Sequence, residues 1–505
     1  MDDTTLATST EAGHGASNVR VLLAASLAAT CALSPGCHRT DAGPELAIVG
    51  ESTRVRLEDP YPAQTPWLVD GKVVLVAAAG EHLGLQVLHR APGAVSLTMA
   101  SSKVQVLGYE VESFVVTRPS TEMYGGGRTG TFADGLTPAR APISNPGYFE
   151  LWVAWTAEPG AYAGELVVGE RHLPVALTVV PVHLQPERHV WAYEDPREFA
   201  SGREPSEQEV RCINTFATSG VTLTPDLQPD WFEPRRLGLA ALTHDLPVVI
   251  PDDPATAGDA ARAWIAATAN TGFVPFAIPI DEPSTPEARA RVIALAKAVR
   301  AAGGGPRTFR FAVTDDPRPE YGDLIDLYIS LRTPRSANGA QWTYNGAPPR
   351  AGSMVLDAAT PGTRTWGWIG YRWKIPVWYV WDALYWHDRH NHKGVLDPKV
   401  DPTSFDDGDD HGNLDGVLAL PSARGCDKTL RLAALNRGSQ DRKLLELAAA
   451  CDPAATAALA EKMVPTALGD APAKGAPSWP TDEAAWELAR RELLRLASCP
   501  QANQR

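Results

Sequence analysis

The hydrophobic pattern changes period near Gln185, and this change limits the chain to folds that join two architectures. From Glu45 to about Gln185 the apolar residues alternate with polar ones, as in Leu83, Leu85 and Val87, then Phe149, Leu151, Val153 and Trp155, then Val175, Leu177 and Val179. A period of two lines one face of a strand, and repeated strands with one apolar face predict a β-sandwich. From His189 onward, short apolar runs alternate with helix-like segments. The runs are Val190–Glu194, Gly220–Thr224, Pro247–Pro251, Val274–Ile280, Thr308–Thr314, Leu324–Leu331, Gln341–Asn345 and Pro376–Trp381. Eight strands in this alternation predict a (β/α)8 barrel of the TIM type. After Cys426 the pattern is helical, interrupted by a Pro/Gly/Ala-rich linker around residues 464–480. The expected division is a leader over 1–37, a β-sandwich over 38–185, a barrel over 186–425 and a helical C-terminal extension over 426–505.

The leader has the character of an export signal. Val21 to Leu33 is a run of Leu, Ala and Val broken by Ser26, Thr30 and Cys31 and preceded by Arg20, too short to span a bilayer as a mature helix. Residues 1–18 carry Asp2, Asp3 and Glu11, which do not suit a positively charged leader, so translation from Val19 is expected. Leu33-Ser34-Pro35-Gly36-Cys37 has the form of a bacterial lipoprotein cleavage site, with Ser34 where Leu is usual. The expectation is a lipid anchor on Cys37 and an extracytoplasmic location at the outer membrane, the anchor being the sole membrane attachment. Past the leader only Cys212, Cys426, Cys451 and Cys499 remain, with no zinc-type spacing. Cys451 and Cys499 both close predicted helices and are the candidate disulfide. A formal net charge of −14 argues against a nucleic-acid partner, because phosphate binding needs basic patches.

Chemistry is most legible at Asp281-Glu282-Pro283. The pair follows the run Val274–Ile280 and precedes Ser284-Thr285-Pro286-Glu287, which carries N-cap, early-helix proline and capping-box residues. Ala288, Val292, Leu295, Ala296 and Val299 recur at helical spacing, and Gly303-Gly304-Gly305-Pro306 ends the helix. In α/β barrels the C-terminal strand ends carry the active site, so the pair is a candidate for acid/base work. The competing reading is an acidic pair that favours the helix dipole. Other polar residues at strand ends are Glu194, Asp226, Asp252, Asp315, Asn345 and Asp382, some of them expected to be caps or turn formers.

Trp366, Trp368, Tyr371, Trp373, Trp378, Tyr379, Trp381, Tyr385 and Trp386 crowd one short stretch. Their flat apolar faces with polar edges suit stacking on a sugar, although core packing should claim about half of them. Gly125-Gly126-Gly127-Arg128-Thr129-Gly130 matches a dinucleotide pattern by letter, but no helix follows, so no nucleotide cofactor is expected. Asp406–Gly412 is like a calcium loop, with Leu418 where the terminal Glu belongs. His387, His390 and His392 sit in a charged loop with Asp388 and Arg389, where a solvated loop is the expectation and a metal the alternative.

Taken in order, these stretches resemble a known family. Tyr109-Glu110-Val111 with Arg118-Pro119-Ser120, the Gly-rich loop with Phe132-Ala133-Asp134-Gly135-Leu136-Thr137-Pro138, and Glu158-Pro159-Gly160-Ala161-Tyr162-Ala163-Gly164 resemble the β-domain of glycoside hydrolase family 123 and its glycoside-hydrolase-like relatives. Asp281-Glu282-Pro283, Trp342-Thr343-Tyr344-Asn345-Gly346 and Trp378-Tyr379-Val380-Trp381 with Tyr385-Trp386 resemble its barrel. Leu430-Arg431 through Arg437-Gly438-Ser439-Gln440-Asp441 resembles its closing helix. The chain departs from the pattern after Asn413-Leu414-Asp415-Gly416, where Leu420 precedes Pro421 in place of an aromatic.

The resemblance implies retaining, substrate-assisted hydrolysis of a β-linked N-acetylgalactosamine. The substrate's acetamido oxygen would attack the anomeric carbon, so the protein would supply no nucleophile. Glu282 would be the general acid/base, Asp281 would hold the acetamido N–H, and the Tyr344 hydroxyl would meet the acetamido carbonyl. The expected substrate-binding set is Trp342, Tyr344, Asn345, Trp368, Trp381, Asp382 and Trp386, with a glycan as partner and no metal. Two other classes remain open, a non-catalytic carbohydrate-binding surface lipoprotein and, more remotely, a metal-dependent hydrolase.

Overall fold

A computed structural model describes residues 44–499 apart from 91, 186, 240–243, 332–339 and 389–393. Cys37, His390 and His392 lie outside the described residues. The N-terminal part is a sandwich of two sheets. One has seven strands, in the order Leu46–Gly50, His82–His89, Gly147–Val153, Val104–Val116, Gly130–Ala139, Gly425–Thr429 and Ala419–Ser422. The other has five, Leu68–Val69, Lys72–Ala79, Arg171–His183, Gly160–Val168 and Val95–Met99. The alternating residues do what their period demands. Leu83 and Leu85 lie opposite Leu151 and Phe149 across an antiparallel pair, and together with Val175, Leu177 and Val179 they bury into one core. Trp155 falls beyond its strand and is 50% exposed.

Two of the seven strands come from residues 419–429, far along the chain. Gly425–Thr429 pairs with Gly130–Ala139, placing Lys428 opposite Leu136. The sandwich is therefore completed by a segment that straddles the expected boundary at 425. Gly425-Cys426-Asp427-Lys428-Thr429 has no apolar alternation to announce a strand.

All eight expected barrel strands form, six of them shorter than and inside their apolar runs, the third displaced to end on the first residue of its run and the seventh shifted by one residue: Val190–Tyr193, Val221–Thr224, Asp245–Pro247, Val274–Ala277, Arg310–Val313, Leu327–Ile329, Ala340–Tyr344 and Trp378–Val380. They are parallel neighbours in sequence, with the eighth beside the first. A bridge between Leu227 and Val248, just past the second and third strands, joins the two edges. Trp191, Phe276, Ala312, Leu327, Ile329 and Trp342 fill the interior. The helix after the fourth strand, Pro286–Ala301, starts as its sequence requires. The Thr285 hydroxyl accepts from the Ala288 N–H, Pro286 takes the first turn, and Val292, Leu295, Ala296 and Val299 are buried.

The helix Leu430–Cys451 clamps the two architectures with buried charge. Arg431 forks onto Asp134 of the sandwich, both side chains fully buried, and also donates to the carbonyls of Met354 and Leu414. Arg437 reaches Glu51 at 2.7 Å and Glu81 at 2.6 Å, and Glu81 also receives Arg490. Asp441 accepts from Arg364 at 2.8 Å and from the Trp368 indole at 2.9 Å. The helix crosses Thr365–Arg372 at backbone contact, since a Cβ on Gly367 would stand 1.8 Å from the Gly438 carbonyl oxygen. Two disulfides add covalent ties. Cys451–Cys499 is the anticipated pair, and Cys212–Cys426 links the barrel helix Glu207–Thr218 to the seven-stranded sheet. Among the described residues no helix is long and apolar enough to cross a membrane.

Candidate active site

The fourth barrel strand ends at Ala277, three residues short of its apolar run, so Asp281 and Glu282 ride on a loop above the strand end. Both acids are exposed to a cavity of about 620 Å³. One hydroxyl holds the pair. Thr314, following the fifth strand, accepts from the Glu282 N–H at 2.7 Å and donates to Asp281 Oδ1 at 2.5 Å. Glu282 adopts φ +41°, a left-handed conformation that costs a non-glycine residue about 1–3 kcal/mol. The Thr314 bond helps hold it there. Across the cavity, Tyr344 at the end of the seventh strand donates its hydroxyl to Glu282 Oε1 at 2.6 Å. Burial, and then Glu282 itself, push the Tyr344 phenol well above its ordinary range, so it is a donor at every physiological pH.

Asn345 also takes a positive φ, +48°, and lines the cavity, yet its backbone groups and Oδ1 are engaged by the eighth-strand segment. Its N–H donates to the Tyr379 carbonyl at 3.0 Å, its carbonyl accepts from the Trp378 indole at 2.8 Å, and its Oδ1 accepts from the Trp381 N–H at 3.2 Å. Asn345 is thus a positioning residue for the eighth-strand wall. Trp381 presents its ring to the cavity, edge-on to Phe405 and tilted against Tyr385. Asp415 holds that ring through a side-chain hydrogen bond and also takes the Tyr124 hydroxyl. Burial pushes Asp415 up to about 7. Gly416, at φ +68°, leaves room for the indole, since a Cβ there would stand 2.7 Å from it.

The remaining walls are aromatic and apolar. Trp191 and Tyr379 stack at 4.8 Å with 6° between their planes, and Phe276 stands edge-on to Trp191. Met123 and Tyr124 reach the same cavity from the β-domain. No period or motif signals their role, because they sit on a short 3-10 turn, Glu122–Tyr124, between two strands of the seven-stranded sheet. Asp226 lines the cavity as well, and so does Tyr193. Asp226 and Tyr379 carried a sequence signal, as a strand-end acid and as a member of the aromatic stretch.

Four expected substrate contacts lie elsewhere. Trp342 points into the barrel interior, edge-on to Phe276 at 5.1 Å, one layer below Tyr344 on the same face of its strand. Trp368 is spent on Asp441 at the closing helix. Trp386 donates to the Ala419 carbonyl at 3.0 Å and packs on Phe199. Asp382 is buried and accepts from the Leu384 N–H at 2.8 Å. Of the aromatic stretch, Tyr379 and Trp381 line the cavity.

The other weighed clusters are engaged within the protein. His387 is bonded through Nδ1 to the buried carboxylate of Glu198. In the acidic loop, Asp407 accepts from the N–H groups of Asp409 and Asp410, Asp410 takes the Thr121 hydroxyl, and Asp406 pairs with Arg118. The Gly-rich loop is packed against Pro348 and Asp357, and a Cβ on Gly127 would stand 1.9 Å from the Asp357 carboxylate.

The sequence matches no family model and no curated protein. Its fold is that of a family 123 glycoside hydrolase from Clostridium perfringens, a protein studied for glycolipid glycan hydrolysis. The two superpose with a TM-score of 0.60 over 90% of this chain and 97% of that one, at 10% identity. Far more partial likenesses reach a glycoside hydrolase family 2 member from Bacteroides cellulosilyticus, at TM-score 0.27, 10% identity and coverage of 61% and 44%, and a putative α-galactosidase from Bacteroides fragilis, at 0.23, 9%, and 61% and 72%. The protein is therefore glycoside-hydrolase-like in its architecture.

Proposed function

We propose that the protein is a retaining β-N-acetylgalactosaminidase that uses its substrate's acetamido group as the nucleophile. The carrying observation is the placement of two acids on one loop, oriented by one hydroxyl. An acid and a separate enzymic nucleophile must approach the anomeric carbon from opposite sides, which neighbouring residues fixed by Thr314 do not do.

In this reading the acetamido oxygen attacks the anomeric carbon while Glu282 gives its proton to the departing glycosidic oxygen, which keeps the bonding pair. Asp281 has one oxygen engaged by Thr314 and offers the other to the acetamido N–H, stabilising the oxazolinium charge. Water then attacks the anomeric carbon, Glu282 takes its proton, and the carbon–oxygen bond of the oxazoline breaks, so configuration is retained overall. Tyr344, a permanent donor beside Glu282, turns its hydroxyl to the acetamido carbonyl. The stacked Trp191 and Tyr379 rings and Trp381 provide apolar surface for the sugar.

The test is turnover of aryl and natural N-acetylgalactosaminides by the wild type, Glu282→Gln and Asp281→Asn. Glu282→Gln should lose most activity on poor leaving groups and much less on an activated aryl group. Asp281→Asn should fall on both. Covalent labelling of either acid by a fluoro-sugar, or full activity on sugars without the 2-acetamido group, would contradict the mechanism. Sugar binding without turnover would leave a carbohydrate-binding protein, and loss of activity with a chelator would favour a metal-dependent hydrolase.

We further propose that the protein is exported and tethered through a lipidated Cys37. Support comes from the apolar leader and from pairing of Cys212, Cys426, Cys451 and Cys499 into disulfides, which persist in oxidising compartments. Mass spectrometry of the native protein should find a diacylated N-terminus, and an unmodified segment 1–36 would exclude it.

A further inference from the structure

Among the described residues Asp226 is a carboxylate without a hydrogen-bond or ion-pair partner, in a cavity otherwise apolar on that side. It follows the second barrel strand by two residues and is exposed to the cavity that holds Asp281 and Glu282. Its backbone is fixed at the barrel seam: the next residue, Leu227, donates to the Pro247 carbonyl and accepts from the Val249 N–H, both at 3.0 Å. The third-strand side of the cavity beside it is Val248, Val249 and Ile250.

Nothing local explains the residue. It caps no helix, since the next helical turn, Pro229–Trp231, has Gln228 at its cap position. Among the described residues it accepts no hydrogen bond and forms no ion pair, and desolvation alone pushes it up to about 7. Nor does it belong to a group of metal-type ligands among those residues. A carboxylate that meets no protein donor and faces a ligand-sized cavity is a group whose donors a bound ligand supplies. The Tyr379 phenol, which lines the same cavity, is raised by burial and then by the Asp226 and Asp281 carboxylates, so both acids act on one wall of the cavity.

We propose that Asp226 is a specificity-determining residue that accepts hydrogen bonds from two neighbouring ring hydroxyls of the sugar whose acetamido group lies at Asp281 and Tyr344. This inference rests on the glycosidase reading and extends it. A carboxylate accepts from a hydroxyl pair through its two oxygens, and hydrogen bonds to a charged acceptor discriminate strongly, because a deoxy analogue leaves the carboxylate unpaired again. Asp226 would then decide which hydroxyl pattern is admitted, while the loop acids carry the chemistry.

The test is a cycle of protein and ligand changes. Binding of N-acetylgalactosamine and its 3-, 4- and 6-deoxy analogues is measured by calorimetry for wild type, Asp226→Asn and Asp226→Ala, with thermal melting of each variant as a folding control. The wild type should lose roughly 10- to 100-fold in affinity for the analogues lacking a contacted hydroxyl. Asp226→Ala should bind the parent sugar that much more weakly and show no further penalty for those analogues, and Asp226→Asn, which keeps one acceptor oxygen, should fall between. Wild-type binding and turnover with the same deoxy penalties in Asp226→Ala would overturn the assignment alone. Failure of the wild type to bind or cleave any acetamido sugar would overturn the functional reading and this inference with it.

Discussion

Tyr344 and Glu282 stand 62 positions apart in sequence and meet through a 2.6 Å hydrogen bond at the mouth of the cavity. The bond joins the seventh barrel strand to the loop after the fourth, so each residue fixes the other before any ligand arrives. Tyr344→Phe removes the donor while keeping the ring. It should lower kcat/KM on acetamido sugars by roughly 10- to 100-fold, mostly in kcat, with little change in melting temperature. Steady-state kinetics beside a melting curve checks this.

Thr314 is the second tie, and its hydroxyl is both acceptor and donor. Thr314→Val keeps the shape and removes both bonds, leaving the strained Glu282 backbone and the Asp281 carboxylate without their anchor. Turnover should drop by about 10-fold or more, since one misplaced group is enough for that loss. Thr314→Ser should restore most of it. Activity kept in Thr314→Val and lost in Thr314→Ser would show that the side-chain methyl, not the hydroxyl, is what matters.

Asp226 should give a pH signature in stability. Its folded value is raised by desolvation to about 7 from the ordinary 3.8, so the folded protein keeps a proton that the unfolded chain has already released between those values. Folding stability is therefore lost as pH rises through that window, and the penalty is complete above it. Asp226→Asn removes the charge. Its melting temperature should match that of the wild type near pH 4 and exceed it by a growing margin towards pH 8.

Arg431 carries the junction between sandwich and closing helix. Arg431→Met would leave Asp134 charged and fully buried with its main cation gone, along with two donors to the Met354 and Leu414 carbonyls. Loss of one partner of a buried pair costs about 3–5 kcal/mol. Chemical denaturation should show a loss of that size, and adding Asp134→Leu should recover part of it.

The sequence by itself determined the elements whose signals are local. Period-two alternation at Leu83–Val87 and Phe149–Val153 needs only the pleat of a strand, and Thr285-Pro286 needs only the first turn of a helix. The eight barrel strands and the acid pair at a strand end were legible for the same reason. Local pattern does not specify direction or distance. Asp226, Asp382 and Glu194 read alike as strand-end acids, yet the turn after each strand aims Asp226 into the cavity, folds Asp382 onto the Leu384 N–H and buries Glu194 against Glu209. Trp368 and Trp381 read alike as sugar platforms, but Trp368 faces Asp441 on the closing helix while Trp381 faces the site. Tertiary structure alone brought Met123 and Tyr124 from a turn of the β-domain to the cavity, Gly425–Thr429 into the sandwich and Cys212 to Cys426. These are contacts across hundreds of residues, set by how the closing helix and its buried charges press the two architectures together, and no period in the chain encodes that distance.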